Sequence, residues 1–235
     1  MKPVVIIRFF PIEGPGYFAT FLDNNHIPWR LVKVDEGEAI PSDIDTLSGL
    51  VLMGGPMSVN DDLLWIPQVI ALIQQAIARD IPVLGHCLGG QLMTKAMGGV
   101  VTQGPIKELG WGKVNVVAST VASQWLGDLT EFEAFHWHGE TFSLPESAVL
   151  LFSSPYCKHQ AFAVGIHLAM QCHVEVTEEM VHSWSTYNAA EIAQNLSSPA
   201  VQTAPVMQEK LPQRITALNA VANRLYTQWI QALKR

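Results

Sequence analysis

Ile81-Pro82-Val83-Leu84-Gly85-His86-Cys87-Leu88-Gly89-Gly90-Gln91 runs a short apolar strand into a glycine-flanked turn, and Leu92 to Met97 continue it as a helix. A side chain at the apex of such a turn stands at the C-terminal edge of a sheet, with a strained backbone and an exposed reactive atom. Gly85 and Gly89 relieve the crowding that the turn creates. The N-terminus of the following helix offers unpaired N–H groups and partial positive charge, which favour a thiolate and later an oxyanion. Cys87 therefore reads as a nucleophile rather than as the buried hydrophobe that a free cysteine usually is.

The same rhythm extends upstream. Val4 to Phe9, Trp29 to Val34, Gly49 to Met53 and Val83 to Gly85 are apolar runs of strand length. Between them, Tyr17 to Asn25 and Pro67 to Arg79 carry helical spacing, the first opening after the Gly14-Pro15-Gly16 break. Apolar strands alternating with helices predict a mixed, mainly parallel α/β sheet flanked by helices on both faces, with its ligand beyond the carboxyl ends of the strands.

Downstream of Gly98-Gly99 the strands become closely spaced: Val100 to Thr102, Lys113 to Val117, Ala134 to Trp137, Val149 to Ser153, Gln160 to Val164 and Leu168 to Cys172. Two helices are expected to close the chain, over Glu178 to Asn195 and Pro212 to Leu233, with Ser197 to Gln208 as a mobile loop between them. In the last helix Ile215, Leu218, Ala222, Leu225, Trp229 and Leu233 form one apolar stripe.

The 235 residues carry no low-complexity block, so 1–235 reads as a single domain. No apolar run approaches the roughly 20 residues that cross a bilayer. Net charge is −7 with Lys and Arg scattered, which argues against a nucleic-acid surface and for small substrates. The three cysteines Cys87, Cys157 and Cys172 form no C-x-x-C pair and fit a reducing cytoplasm. Cys172 reads as a core thiol and Cys157 as an incidental loop thiol.

A cysteine nucleophile needs a base and a group that orients the base. Met170-Gln171-Cys172-His173-Val174-Glu175 offers both, because residues two apart on a strand share a face at about 6.6 Å. Glu175 would then fix the His173 tautomer and stabilise its imidazolium. Oxyanion donors typically contribute about 3 to 4 kcal/mol each. The Leu88 N–H, just past the nucleophile, is one candidate, and the Met53-Gly54-Gly55-Pro56 loop supplies the other. Phe135-His136-Trp137-His138-Gly139-Glu140 offers a rival chemistry, with His136 and His138 joining His173 or Cys87 on a metal, although no H-E-x-x-H or cysteine-pair spacing accompanies them. A substrate-binding segment is the favoured reading there.

Together these residues resemble the class I glutamine amidotransferases, the triad glutaminase domains, from the first strand to about Glu179. Gly85, Cys87, Gly89 and Gln91 match the G-x-C-x-G-x-Q nucleophile motif, and His173 and Glu175 match the H-x-E pair. Lys107-Glu108-Leu109-Gly110-Trp111 is similar to the start of a strand in relatives of the GMP synthetase glutaminase domain. Departures are Gly90 where many members have His, Val174 where many have Pro, and His86 where an aliphatic residue is common.

The resemblance implies a flavodoxin-like or Rossmann-like sheet and a Cys87-His173-Glu175 triad. It also implies an oxyanion hole from the Gly55 and Leu88 N–H groups, and a substrate wall of Gln91, Trp137, His138 and Gly139. The implied substrate is glutamine, hydrolysed through a γ-glutamyl thioester with no cofactor or metal. No G-x-x-x-x-G-K-[ST] motif is present, so an ammonia-accepting synthetase would be a separate subunit. Two alternatives stay open. One is a γ-glutamyl peptide or conjugate hydrolase with the same triad. The other is a non-catalytic regulatory or redox-sensing protein of the same fold, for which the His173-Glu175 pair would be superfluous.

Overall fold

A computed structural model describes residues 2–234. The first half runs β1 (Val4–Arg8), α1 (Gly16–Asn24), β2 (Trp29–Lys33), β3 (Gly49–Leu52), α2 (Trp65–Ala78), β4 (Val83–His86) and α3 (Leu88–Ala96). The second half runs β5 (Val101–Val116), α4 (Thr120–Leu126), β6 (Glu131–Phe142), β7 (Val149–Ser153), β8 (Ala161–Val164) and β9 (His167–Met170). Four helices follow: α5 (Glu178–Tyr187), α6 (Ala189–Asn195), α7 (Ala204–Gln208) and α8 (Leu211–Ile230).

All the strands join one nine-stranded sheet in the order β2-β1-β3-β4-β9-β8-β7-β5-β6. From β2 to β9 every pairing is parallel, and from β9 to β6 every pairing is antiparallel. Strand alternation splits the core into two apolar layers. Val4 and Ile6 face Phe18 of α1 and Tyr226 and Trp229 of α8. Val5 and Ile7 face Val69 and Ile73 of α2 and Leu92 of α3. Burying each such side chain contributes roughly 1.5–3 kcal/mol, so helices on both faces hold the parallel strands in place beneath the site.

Four expectations are corrected. The pieces Val100 to Thr102 and Lys113 to Val117 belong to one long strand, β5, whose register against β6 shifts between Gln103 and Glu108. Gly104-Pro105 interrupts the apolar pattern there and hides the continuity. The helix expected over Glu178 to Asn195 breaks at Asn188, with φ −102° and ψ 27°, and restarts as α6.

Ser197 to Gln208 is a tied segment and not a free loop. Leu109 N donates to Ala200 O and Gln202 N donates to Leu109 O, each at 2.9 Å. The Gln202 amide accepts from Trp111 N at 2.8 Å and donates to Trp111 O at 2.9 Å. The Trp111 indole donates to Met207 O, and Met207 is fully buried. Finally, β9 ends at Met170, so His173 and Glu175 do not lie on a continuing strand. His173 makes a lone antiparallel bridge to Phe135, and Cys172 and Val174 are buried as well.

Candidate functional site

β1, β3 and β4 deliver their C-terminal ends to one cavity. Cys87 caps α3 with φ 49° and ψ −107°, a conformation rare for any residue but glycine. Such a backbone costs on the order of 1–3 kcal/mol and persists only where its surroundings over-determine it. Here Cys87 N donates to Met170 O at 2.8 Å, Gln91 N to Cys87 O at 3.0 Å and Gly89 N to Met53 O at 3.1 Å. A Cβ on Gly85 would stand 2.5 Å from the Gly89 carbonyl carbon, and one on Gly89 would collide with the Leu52 carbonyl. Both glycines are therefore required by the close approach of α3 to β4 and β3.

The Cys87 thiol receives a hydrogen bond from Gln171 Nε2 at 3.5 Å, and its Sγ lies 3.8 Å from Trp137 O. Gln171 in turn accepts from Gln91 Nε2 at 3.1 Å. Gln91 thus reaches the nucleophile through Gln171, which sequence reasoning missed.

His173 is fixed from three sides. Its N–H donates to Phe135 O at 2.8 Å, its ring meets Trp184 edge-to-face at 4.8 Å, and Nδ1 lies 2.6 Å from Glu175 Oε1. Its Nε2 is buried and has no hydrogen-bond partner among the described residues. Burial alone would lower the His173 pKa, but the negative charge of the Glu175 carboxylate and then of the Cys87 sulfur outweigh it and hold the imidazole well above its ordinary range. Burial would likewise raise the Glu175 pKa, yet His86 and His173 pull it down to about 2.

His86 faces away from the thiol. Its Nε2 lies 3.1 Å from the Tyr226 hydroxyl and 3.7 Å from Glu175 Oε2, wholly buried. Desolvation lowers its pKa.

A cavity of about 250 Å³ opens over Cys87, walled by Gly55, Gln91, Trp137, His138 and Gly139. All of the expected site residues except His173, Glu175 and Leu88 line it; Leu88 follows Cys87 in the chain, and Glu175 lies behind His173. Among the described residues neither Leu88 N–H nor Gly55 N–H has an acceptor. The His138 ring is engaged at both nitrogens, with Nδ1 3.0 Å from Glu140 O and Nε2 3.1 Å from Glu108 Oε2. The chain at Trp137 to Gly139 is strand β6, and its backbone borders the cavity.

The same cavity holds side chains that the sequence reading left out. Glu13 reaches it from the loop after β1, and Lys107 pairs there with Glu191 at 2.6 Å. Glu191 also accepts from the Trp137 indole at 2.9 Å. A charged residue near a strand end was the available signal for Glu13, but the Gly14-Pro15-Gly16 break made the loop look like a spacer.

The metal alternative has a different third member from the one expected. Glu108, rather than His173 or Cys87, comes together with His136 and His138, their ligand atoms lying within 4.8 Å of one another. Gln160 Nε2 sits among them, 2.8 Å from Glu108 Oε2, 3.3 Å from His136 Nδ1 and 3.4 Å from His138 Nε2. The amide nitrogen ties the three side chains into one hydrogen-bonded cluster. Burial lowers the His136 pKa to about 4 despite the nearby Glu108, which keeps that imidazole neutral within the buried cluster.

Of the remaining cysteines, Cys157 lies in the loop between β7 and β8 and is buried there, with its Sγ 3.2 Å from Thr141 Oγ1. Burial pushes its pKa up, and that of Cys172 much further.

The family model "Glutamine amidotransferase class-I" matches residues 22–186. A glutamine amidotransferase-like protein of Salmonella typhimurium, YfeJ, is 30% identical over 188 residues, covering 77% of this chain and 79% of its own. Gamma-glutamyl peptidase 3 of Arabidopsis thaliana is 28% identical over 181 residues, 71% of each chain. Among solved structures, a glutamine amido transferase from Methylobacillus flagellatus superposes with a TM-score of 0.97 at 43% identity, over 100% of this chain and 96% of that one. Among the described residues no helix is long and apolar enough to cross a membrane.

Proposed function

The chain belongs to the class-I glutamine amidotransferases, and on that footing we propose that it hydrolyses the γ-amide of glutamine, releasing ammonia through a γ-glutamyl thioester on Cys87. The observation that carries this reading is the meeting of a cysteine at positive φ with a buried imidazole whose far nitrogen is held by a carboxylate. We take residues 1–235 to act as one domain, since one sheet runs through both halves.

In the proposed reaction Cys87 gives its proton to His173 Nε2 and its sulfur adds to the γ-carbonyl carbon. The Gly55 and Leu88 N–H groups face the oxygen that takes the charge. Collapse breaks the C–N bond, and His173 passes its proton to the nitrogen, which leaves as ammonia. Water then adds to the thioester carbon and gives a proton to His173. The C–S bond breaks, the proton returns to sulfur and glutamate departs. Glu175 keeps the tautomer and stabilises the imidazolium. Gln91, Trp137 and Gly139 hold the glutamyl part, while His138, engaged at both nitrogens, serves by fixing the strand. No step calls for a cofactor.

A second reading, hydrolysis of γ-glutamyl peptides or conjugates, is favoured by the similarity to gamma-glutamyl peptidase 3 over 71% of both chains. A separate ammonia-accepting synthetase subunit belongs to the first reading and not to the second. A regulatory role without catalysis would leave the Glu175-His173 pairing beside Cys87 without a use.

Incubation with glutamine and with γ-glutamyl dipeptides, following ammonia and amine release, separates these readings. Cys87→Ala is expected to lower the rate at least about a thousandfold on whichever substrate is turned over. Equal inertness of wild type and variant on every γ-glutamyl compound would sink the hydrolase proposal. A glutamine-like diazoketone is expected to label Cys87 and neither Cys157 nor Cys172.

A further inference from the structure

Glu13 stands where the departing nitrogen would leave. A Cβ built on Gly54 would collide with Glu13 Oε2 and lie 3.2 Å from His173 Cε1, so the carboxylate and the imidazole edge meet over the same bare glycine. The loop that carries Glu13 is held in place, because the Trp184 indole donates to Ile12 O at 2.8 Å and Tyr17 N donates to Glu175 O at 2.7 Å. In the reaction proposed above, His173 hands its proton to the leaving nitrogen, so that nitrogen departs along the edge Glu13 covers.

The charges on the cavity wall are unequal. Glu13, Glu140 and Glu191 face it, and Lys107 is the one cation among its described lining residues. Glu191 is committed to Lys107 and the Trp137 indole, and Glu140 accepts from Ser58 Oγ. Glu13 has neither an ion pair nor a hydrogen bond among the described residues. Beside it His173 Nε2 is buried and equally unpartnered. Phe10 and Trp184 add aromatic faces to the same wall, and such faces attract cations.

We infer that Glu13 is a specificity-determining residue on the leaving-group side, selecting γ-glutamyl amides whose departing amine carries positive charge over those whose departing amine carries a carboxylate. The inference rests on the hydrolase reading for its sense of direction across the cavity. It is supported by the electrostatics of the wall. Burial raises the Glu13 pKa to about 7, with His173 opposing and Glu175 and Glu191 adding to the rise. A cation beside Glu13 relieves that repulsion, and a further carboxylate adds to it.

Two conjugates of similar length test this: γ-glutamyl-1,3-diaminopropane, which ends in an ammonium, and γ-glutamyl-β-alanine, which ends in a carboxylate. Their binding to the Cys87→Ala protein is measured calorimetrically at pH 8, and their hydrolysis by the Cys87 enzyme is followed in parallel. The ammonium conjugate is expected to bind about tenfold tighter. Glu13→Gln, added to Cys87→Ala, should bring the ratio close to one, and Glu13→Lys should invert it. Equal binding of the two conjugates, a ratio unmoved by Glu13→Gln, or no binding of either overturns the inference. Cation-selective binding without hydrolysis of either conjugate would instead remove the hydrolase reading and leave Glu13 as the cation-receiving group. Hydrolysis of both with a ratio of one would do the reverse.

Discussion

Behind the Cys87-His173-Glu175 line lies a second row of polar groups, Tyr226 and His86, with no solvent around it. Tyr226 belongs to the last helix, yet its hydroxyl is the hydrogen-bond partner of His86, which faces Glu175 Oε2. Removing that hydroxyl leaves a buried imidazole nitrogen unpaired, at a cost of about 1–3 kcal/mol. Tyr226→Phe is therefore expected to lower stability by that amount in denaturant titration. It should also shift the pH profile of kcat/KM, because the charge balance around Glu175 changes. An unchanged pH profile with reduced stability would mean that Tyr226 only packs. At this scale the sequence was legible where spacing encodes a motif, as for Cys87, Gln91, His173 and Glu175. It was silent on Gln171 and Tyr226, whose roles depend on contacts 84 and 140 positions distant.

The elements divide by how locally they are determined. β1, β3 and β4 could be read because each is an apolar run followed by its own helix, and α3 could be read from its glycine-lined approach. β5 could not, since its shift between Gln103 and Glu108 breaks the pattern and its partner strands lie further along the chain. The segment after α6 reads as a loop for a similar reason. Its Ser, Pro, Ala and Gln residues look solvated, but the Gln202 amide completes the hydrogen bonding of Trp111 as a neighbouring strand would. Gln202→Ala withdraws both of those bonds. It is expected to lower stability by about 1–3 kcal/mol and to open cleavage between Ser197 and Gln208 in limited proteolysis. Continued resistance of that segment would show that Met207 and the backbone bonds to Leu109 suffice.

On the scale of the whole molecule, the pairing of His173 with Glu175 links stability to pH. Glu175 has its folded-state pKa depressed to about 2, so its contribution is present above the ordinary 4.5 and is lost as pH falls through about 2. His173 has its pKa raised, so its contribution is full below the ordinary 6.5 and is lost as pH rises through the folded-state value. Breaking a buried pair by removing one partner costs about 3–5 kcal/mol. Glu175→Gln should show that loss near pH 6 in chemical unfolding, and the difference from wild type should shrink as pH is lowered toward about 2. A difference independent of pH would place the loss in packing rather than in charge.

The lone bridge from His173 to Phe135 ties the His173 backbone to β6, one of the two edge strands of the sheet. That same strand carries Trp137 and Gly139 on the cavity wall, whereas Cys87 rides on β4 near the sheet centre. One edge strand therefore holds the backbone of the imidazole's residue and part of the wall that faces it, while the sulfur comes from the end of β4. The site is thus assembled from both halves of the sheet, the parallel half bringing the sulfur and the antiparallel half seating the nitrogen.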